Sequence, residues 1–417
     1  MSNNTHQSTA LSTPFIFKNG TVIKNRFFKS AMSEQLGDRA HNPGVGLANL
    51  YQRWAQGGVG LMMSGNIMID RGALGEPKNV VLDEQSDLSL FKAWTKAGTE
   101  NNAHLWAQLN HPGKQIPNFI VKEPVAPSAI ALKRGLEKGF NKPRALKEDE
   151  IYGIINKFVV SARLAKESGF TGVQIHGAHG YLVSQFLSPS HNQRQDQWGG
   201  SLENRMRFVL EIYRAIRNEV GKDFLVGIKL NSADFMKDGF SEGDSMQVIR
   251  TLGEEGIDLI EISGGTYEAP AMVGHASVPQ KDSTKKREAY FLDYAESVRG
   301  STQTPLVVTG GFRSSIGMTQ ALQSGACDFI GVARPLAVDP DLPNKAISNA
   351  DYAIKLKTLS TGVRAVDKMA MLDITWYEFQ LKRMAEKKAP NNKMSEWMVF
   401  AKTIAGAGLY SFRKRRA

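Results

Sequence analysis

Short apolar or β-branched runs alternate with longer amphipathic stretches along most of the chain. In the stretch 148–168, apolar residues recur at spacings of three and four, from Ile151 to Ala162, which predicts one buried helical face. Predicted strands cover residues 27–30, 59–64, 104–109, 172–175, 225–231, 259–263, 306–309 and 329–332. Predicted helices cover residues 46–56, 86–101, 148–168, 202–219, 243–254, 289–299 and 316–324.

Alternation of strands with helices predicts a parallel sheet, and eight such units match a closed (β/α)8 TIM barrel. We assign the barrel to residues 1–344. An open, doubly wound sheet is the alternative, but no G-x-G-x-x-G motif follows the first strand. The α/β barrel is therefore the predicted fold.

Two segments depart from this alternation. Residues 111–144 are rich in Pro, Gly and Lys and follow the third strand, where a long loop is usually a functional lid. Residues 345–417 form a C-terminal extension, with helical patterns at 374–384 and 397–412. We expect this extension to be helical and to pack on the barrel or on a partner subunit.

Composition places the chain among ordinary globular proteins, with 417 residues, 41% hydrophobic and 22% charged. Its one cysteine, Cys327, excludes an internal disulfide and any cysteine-built zinc or iron–sulfur site. The first fifteen residues are polar, unlike a secretory signal, and the apolar runs of the barrel region are too short to span a bilayer. A cytoplasmic protein without a metal site is expected.

The net charge of +11 is unevenly distributed. Residues 345–417 contain fifteen Lys and Arg against six Asp and Glu, so most of the excess lies there and the barrel region is nearly neutral. This disfavours nucleic acid as a partner. The helical stretch 397–412, followed by four basic residues, can lie on an anionic membrane surface, although packing on the barrel or in a homo-oligomer is the expected role.

The strongest chemical pattern lies at the end of the fourth predicted strand, 172–175. His176, His179 and Tyr181 follow it closely. Two imidazoles and a phenol can hydrogen-bond a carbonyl oxygen and supply a proton beside it. A single His or Tyr is more often structural, but this cluster at the carboxyl end of a strand predicts an active site.

A phosphate site is predicted at the last two strands, where barrels of this kind commonly bind phosphate. Gly310 and Gly311 follow the seventh strand, and Ala333 and Arg334 follow the eighth. Glycine amides near a helix N-terminus attract anions, and Arg334 can bind a phosphate through two hydrogen bonds.

Other strand ends carry polar groups that can line a flat heterocycle. Ser33 follows the first strand, Gly65 the second, and Gln108 ends the third. A Gln side chain both donates and accepts, so it can recognise an imide edge. Lys229, in the fifth strand, can stabilise negative charge on a ring or pair with Glu261 inside the barrel, and the two roles are compatible.

Together these motifs resemble those of the old yellow enzyme family of FMN-dependent ene-reductases. The resemblance covers about residues 14–344, and its most specific part is the block beginning at His176. The matching stretches are KNRFFKSAM, AQLNHPGKQ, IHGAHGYLVSQFLSPSHNQRQDQWGGSLENR, VGIKLN, TGGF and GVARPL. It implies non-covalent FMN, NAD(P)H as reductant, and an α,β-unsaturated carbonyl or similar activated alkene as substrate. A quinone or a nitro compound is the alternative acceptor.

The resemblance also implies roles for individual cofactor-binding residues. Ser33 would contact the N5/O4 region of the flavin, with the backbone of Ala31 and Met32 along the ring. Ser33 is a departure, since relatives more often carry Thr or Cys there. Gly65 would approach the flavin and Gln108 would recognise its pyrimidine edge.

The remaining roles concern charge and catalysis. Lys229 would lie near N1 and O2 of the flavin, where many members have Arg, and Gly311, Ala333 and Arg334 would bind the phosphate. His176 and His179 would hold the substrate carbonyl oxygen, and Tyr181 would protonate the α-carbon. The less favoured enzyme class, tRNA-dihydrouridine synthases, uses a cysteine acid near the flavin, but Cys327 precedes the eighth strand and so lies toward the wrong barrel end.

Overall fold

Eight parallel strands form a closed barrel in the computed structural model, which describes residues 10–269 and 288–414. Each strand pairs with its neighbours, and the last pairs with the first, with Ile330 opposite Phe27. The barrel strands are β1 (Phe27–Lys29), β2 (Leu61–Met68), β3 (His104–Asn110), β4 (Gly172–Gly177), β5 (Leu225–Asn231), β6 (Leu259–Ser263), β7 (Leu306–Thr309) and β8 (Phe329–Val332). The predicted (β/α)8 barrel is confirmed.

The early strands differ from their predicted bounds, whereas β5 to β8 match them. β2 begins two residues later than predicted and continues to Met68. β4 continues through His176 and Gly177, because both remain in register with β5, opposite Lys229 and Leu230. The prediction that the strand ends before His176 is therefore wrong. Ladder pairing carries the strand into polar residues that the hydrophobic pattern excludes.

The described residues contain thirteen α-helices of five or more residues. They are α1 (Val45–Gln56), α2 (Leu88–Gly98), α3 (Glu148–Glu167), α4 (Leu182–Leu187), α5 (Leu202–Val220), α6 (Glu242–Glu254), α7 (Leu292–Arg299), α8 (Ser315–Gln323), α9 (Arg334–Val338), α10 (Leu342–Ser348), α11 (Arg364–Ala370), α12 (Leu372–Ala385) and α13 (Glu396–Lys414). The predicted apolar face of α3 is buried from Ile151 to Ala162. The prediction that α2 reaches residue 101 is wrong, since Asn101 adopts a left-handed conformation with φ 54°.

Aromatic side chains close the amino-terminal end of the barrel. The short strands Phe15–Ile16 and Val22–Ile23 pair across this end. Phe15 packs against Phe329 with ring centroids 4.9 Å apart, and Phe17 lies 6.0 Å from Trp106. With this end filled, a ligand can enter only at the carboxyl ends of the strands, as is general for such barrels.

The loop of residues 111–144 is attached to the barrel rather than free. The two-residue strands Val125–Ala126 and Arg144–Ala145 pair within it. The buried Lys114 amino group lies 2.9 Å from Nδ1 of His191, in the loop after α4. Further along, the Lys133 amide donates to Glu268, in the loop after β6, over 2.9 Å. These bonds hold the loop beside the barrel mouth.

The C-terminal extension returns to the barrel through α12, which packs against α1. Asn49 donates to the carbonyl oxygen of Ala385 over 3.0 Å. The contact is tight, since a Cβ atom at Gly46 would lie 3.3 Å from that of Ala385. Residues 415–417 at the basic terminus lie outside the described residues. Across the described part of the chain, no helix combines the length and apolarity needed to cross a membrane.

Candidate active site

A cavity of about 310 Å³ opens at the carboxyl ends of the barrel strands. A neighbouring cavity of about 170 Å³ lies at the carboxyl ends of β7 and β8, and five residues line both cavities. The predicted residues that line the larger cavity are Ala31, Met32, Ser33, Gln108, His176, His179, Tyr181, Lys229, Ala333 and Arg334. Gly310 and Gly311 line the neighbouring one. The barrel thus brings predicted residues from distant parts of the sequence, from Ala31 to Arg334, to the lining of these two cavities.

Gly65 is the predicted residue that lines neither of these two cavities. Its amide donates to the Tyr51 hydroxyl over 3.1 Å. A Cβ atom at this position would lie 2.7 Å from the Met32 carbonyl oxygen. Glycine therefore lets the backbone at Met32 pack directly against β2, which places that backbone segment at the cavity wall.

The His176 ring is buried and neutral. The Ala178 amide donates to its Nδ1 over 3.3 Å, so the ring proton is on Nε2. Burial, and then the nearby Lys229 charge, hold the pKa of His176 well below its usual value. The ring therefore offers one N–H donor without a positive charge.

His179 presents a second neutral imidazole, with its ring centroid 5.2 Å from that of His176. Its backbone is left-handed, at φ 60°, and its amide donates to Asn231 over 3.2 Å. Its Nε2 lies 2.7 Å from the Ser263 hydroxyl. Burial, followed by the Lys229 charge, keeps the pKa of His179 well below its usual value. When Ser263 donates to Nε2, Nδ1 carries the available proton.

Tyr181 stands beside the two imidazoles as a protonated phenol. Its ring centroid is 4.7 Å from that of His176. The hydroxyl lies 2.9 Å from the Tyr267 hydroxyl and accepts from Asn66 over 3.4 Å. Burial, and then the Glu76 carboxylate, raise the pKa of Tyr181 to about 12. Tyr267 is not predicted from the sequence, because it belongs to none of the motifs described above.

Gln108 is oriented to bind a donor from the cavity. Its side-chain Nε2 donates to the side-chain oxygen of Gln174 over 2.7 Å, and its backbone amide donates to the Ser64 hydroxyl over 2.8 Å. Its side-chain oxygen is buried and has no hydrogen-bond partner among the described residues. A buried unpaired acceptor is costly, and the N–H of an imide would satisfy it.

Lys229 combines the two roles considered from the sequence. Its amino group lies 3.0 Å from Glu261, and both side chains are almost fully buried. Glu261 also accepts hydrogen bonds from Gln174 and Thr309, over 3.0 and 2.8 Å. Lys229 nevertheless lines both cavities, so its charge remains within reach of a ligand.

The turn after β7 lines a cavity that can hold an anion, but the backbone amides just before α8 are not free to bind it. Gly310 and Gly311 have φ of 107° and 100°, which favours glycine. The amides of Arg313 and Ser314, ahead of α8, already donate to the Glu288 carboxylate over 2.9 and 3.0 Å. The helix-end amides considered from the sequence are therefore occupied.

Two arginines supply the positive charge of this cavity. Arg313 and Arg334 both line it, and burial followed by the Arg334 charge lowers the pKa of Arg313. Converging guanidinium groups attract an anion such as a phosphate. Arg334 is predicted from the sequence and Arg313 is not, although Arg313 directly follows the TGGF motif.

One part of the lining of the larger cavity, here called the acidic wall, carries two glutamates that are not predicted from the sequence. Glu76, in the loop after β2, and Glu378, on α12, both lie within hydrogen-bond distance of the Ser33 hydroxyl. Neither glutamate belongs to a recognisable motif. Cys327, by contrast, is buried ahead of β8 at the far end of the barrel, and burial raises the pKa of its thiol to about 12.

The residues present fit FMN. The unpaired Gln108 oxygen suits the imide of the flavin, and the glycine turn with Arg313 and Arg334 suits its phosphate. Lys229 is placed to balance negative charge on the ring.

Comparison with known proteins agrees with this geometry. A model of the NADH:flavin oxidoreductase / NADH oxidase family matches residues 10–352. The chain is 37% identical over 359 residues to the NADH-dependent flavin oxidoreductase iliE of Hypocrea jecorina (strain QM6a), covering 81% of this chain and 89% of that protein. It is 33% identical over 399 residues to the NADH-dependent flavin oxidoreductase iccE of Talaromyces variabilis, covering 88% and 96%.

Among solved structures, the old yellow enzyme homologue from Zymomonas mobilis aligns with a TM-score of 0.71 at 25% identity, covering 85% of this chain and 98% of that chain. Family, fold and cavity thus agree. The chain belongs to the NADH:flavin oxidoreductase / NADH oxidase family and is an NAD(P)H-dependent flavin oxidoreductase that uses FMN.

Proposed function

We propose that this enzyme reduces the carbon–carbon double bond of an α,β-unsaturated carbonyl compound or a similarly activated alkene, with Tyr181 as proton donor. One observation carries the proposal. Two neutral imidazoles, His176 and His179, lie with ring centroids 5.2 Å apart and face the same cavity as the protonated Tyr181.

The cofactor and the protein have separate roles in the proposed reaction. When bound, FMN would supply the hydride chemistry between NAD(P)H and the alkene. In the proposed arrangement, Arg313 and Arg334 hold the phosphate, Gln108 accepts from the imide, and Lys229 balances charge on the ring. These residues orient the cofactor and contribute electrostatics.

The imidazoles act on the substrate oxygen. As neutral donors, His176 and His179 bind a carbonyl oxygen without carrying a net charge into the buried cavity. Their hydrogen bonds strengthen as negative charge develops on that oxygen, so they stabilise the transition state more than the ground state. This polarises the double bond toward attack at the β-carbon.

Tyr181 acts at the other end of the double bond. Its raised pKa, about 12, keeps the phenol protonated at neutral pH. The hydrogen bonds with Tyr267 and Asn66 fix its hydroxyl at the cavity wall. A positioned acid of this kind delivers a proton to the α-carbon as that atom gains charge.

A panel of acceptors tests the proposal. The holoenzyme is reduced with NADH, because the relatives named above are NADH-dependent, and is then mixed anaerobically with an enone, a nitroalkene or a quinone. Stopped-flow absorbance follows the flavin. We expect the enone and the nitroalkene to reoxidise it rapidly and to yield the saturated products. Rapid reaction with the quinone and none with either alkene would contradict the proposal.

A further inference from the structure

Three side chains meet at the cavity wall around Ser33. Its hydroxyl oxygen lies 2.7 and 2.8 Å from the two carboxyl oxygens of Glu76. On the other side, Oε1 of Glu378 lies 2.7 Å from the same hydroxyl. The Glu76–Ser33–Glu378 cluster therefore joins the loop after β2, the segment after β1 and the C-terminal helix α12.

The hydrogen count of this cluster requires a protonated carboxyl group. A serine hydroxyl has one hydrogen and can donate to one carboxylate only. Contacts of 2.7 Å between oxygens are hydrogen-bond distances, and each needs a hydrogen between the two atoms. The second hydrogen must come from Glu76 or Glu378, so that one carboxyl donates to Ser33 while Ser33 donates to the other.

Among the described residues, the side chains that hydrogen-bond these two carboxyl groups from outside the cluster are neutral amides. Gln35 donates to both oxygens of Glu378, over 3.0 and 3.2 Å, and Asn79 lies 3.4 Å from Glu76. No ion pair found within residues 10–269 and 288–414 includes either glutamate. The nearby Lys29 is already paired with Glu34 over 3.2 Å. Two adjacent carboxylates without a cation are unfavourable, so a proton is retained.

Burial and mutual repulsion act in the same direction. Burial, and then the Glu378 charge, raise the pKa of Glu76 to about 7. Burial also raises the pKa of Glu378. The Gln35 backbone has φ 49°, a conformation that non-glycine residues rarely adopt. The fold keeps this left-handed residue at the position from which its side chain binds Glu378.

We propose that Glu76 and Glu378 share one proton across Ser33, and that this proton sets how readily the flavin is reduced. The second part rests on the proposed position of FMN beside Ser33. In this view Glu378 is a positioning residue supplied by the C-terminal extension, which thereby becomes part of the active site.

Charge explains the expected effect. When the cluster loses its proton to water, one more negative charge appears at the cavity wall. Reduction adds electrons to the flavin, so that charge disfavours reduction. We expect the equilibrium constant for two-electron reduction to fall about tenfold through this ionisation, which corresponds to about 30 mV.

Among the described residues that line the larger cavity, His176, His179, Tyr181 and Tyr267 have pKa values shifted away from neutral pH, those of the two imidazoles downward because of burial. Tyr181 and Tyr267 both have raised pKa values and stay protonated. Glu34 is paired with Lys29. The remaining charged groups of the larger cavity are Asp373 on α12, Lys229 on β5, and Arg334 on α9.

Infrared difference spectroscopy tests the shared proton directly. In the wild-type holoenzyme, with glutamate carbon labelled to assign the band, we expect a protonated carboxyl signal that disappears as pH rises through about 7. Glu76→Gln and Glu378→Gln should each abolish it, because one amide and one carboxylate satisfy Ser33 without a shared proton. Glu386→Gln, on an exposed residue at the end of α12, should retain it. Absence of the signal in wild type, or its persistence in both cluster variants, would overturn the shared proton.

Redox titration tests the effect on the flavin. The wild-type midpoint potential should fall more steeply with pH around 7 than that of Glu378→Gln, whose profile should lack this inflection. Identical profiles would overturn the effect on the flavin while leaving the infrared result intact. Ser33→Ala provides a second variant, which should shift the titration even if a glutamine variant folds poorly. Neither measurement uses an alkene, so a negative acceptor panel would count against the proposed function and not against this inference.

Discussion

The two walls of the active-site cavity differ in charge and in origin. The barrel wall comes from strand ends and carries Lys229, Arg313 and Arg334 beside two neutral imidazoles. The acidic wall carries Glu76 from a loop and Glu378 from the C-terminal helix. In the proposed roles, the binding and catalytic groups come from the barrel, while the two carboxyl groups with raised pKa values come from a loop and from the C-terminal extension. Substitutions on the two walls should therefore have different consequences.

The largest effect is expected from the imidazoles of the barrel wall. Replacing both His176 and His179 with Ala should slow flavin reoxidation by an enone about 10³-fold or more, since loss of one oxyanion donor typically costs 10²–10³. FMN should stay bound, while phenol ligands should no longer perturb its spectrum.

His104→Ala is the matched control for the imidazole variant. His104 begins β3 at the closed end of the barrel, where it bonds to the Val22 carbonyl over 3.1 Å. Its removal should leave both the enone reaction and phenol titrations as in wild type. If phenols still bind normally after loss of His176 and His179, the two residues do not hold the substrate oxygen.

A smaller effect is expected for the proton donor. Tyr181→Phe should slow alkene reduction about 10²-fold, the lower range for general acid catalysis. Flavin reduction by NADH should change little, because it does not need this proton. Separate stopped-flow measurements of the two half-reactions make the comparison.

Tyr267→Phe separates the role of Tyr181 as an acid from the contribution of its hydrogen-bond partner. It removes the 2.9 Å partner of Tyr181 but leaves the acid in place, so the loss should stay below about tenfold. A Tyr181→Phe enzyme that lost both half-reactions equally would point to distorted flavin binding and would rule against a proton-donor role.

On the cationic side, Arg334→Gln should weaken FMN binding about 10- to 100-fold, because hydrogen bonds to charged groups contribute about 1.5–3 kcal/mol. Titrating apoprotein with FMN and following flavin fluorescence measures this. Arg53→Gln, in the ion pair with Asp341 on the outer surface, is the control and should bind FMN normally. Equal affinity of wild type and Arg334→Gln would place the phosphate elsewhere.

The smallest expected effect is on stability, and it comes from the acidic wall. The raised pKa of Glu76 means that the folded protein binds more protons than the unfolded chain between about pH 4.5 and 7. The free energy of unfolding should therefore fall as pH rises through this range. Glu76→Gln should remove that loss and raise Tm at pH 8 by about 1–2 °C relative to wild type. A thermal melt series that is flat with pH in wild type would contradict it.

The barrel could be predicted from the sequence because its signals are local. The strands β5 to β8 are short buried runs bounded by turn residues, so the hydrophobic pattern alone defines their ends. The misplaced end of β4 shows the limit of that pattern, since pairing with β5 carries the strand through His176. The proposed catalytic cluster stands out in the sequence because His176, His179 and Tyr181 lie within six residues.

The acidic wall could not be predicted, because its contacts are made between distant segments. Ser33 and Glu378 are 345 residues apart, and no periodicity or spacing records that contact. Glu76 and Tyr267 lie in loops whose paths depend on the whole fold. Arg313 was within reach, because it directly follows the glycine turn of β7.

Gly46 gives the outside of the molecule an influence over its interior. It lets α1 and α12 approach so closely that a methyl group there would lie 3.3 Å from that of Ala385. A bulkier residue would push the helix outward and draw Glu378 away from Ser33. Under the proposal that Glu378 helps to set the flavin potential, a packing change on the barrel exterior would retune the reducing power of the flavin without altering a polar atom at the reaction centre.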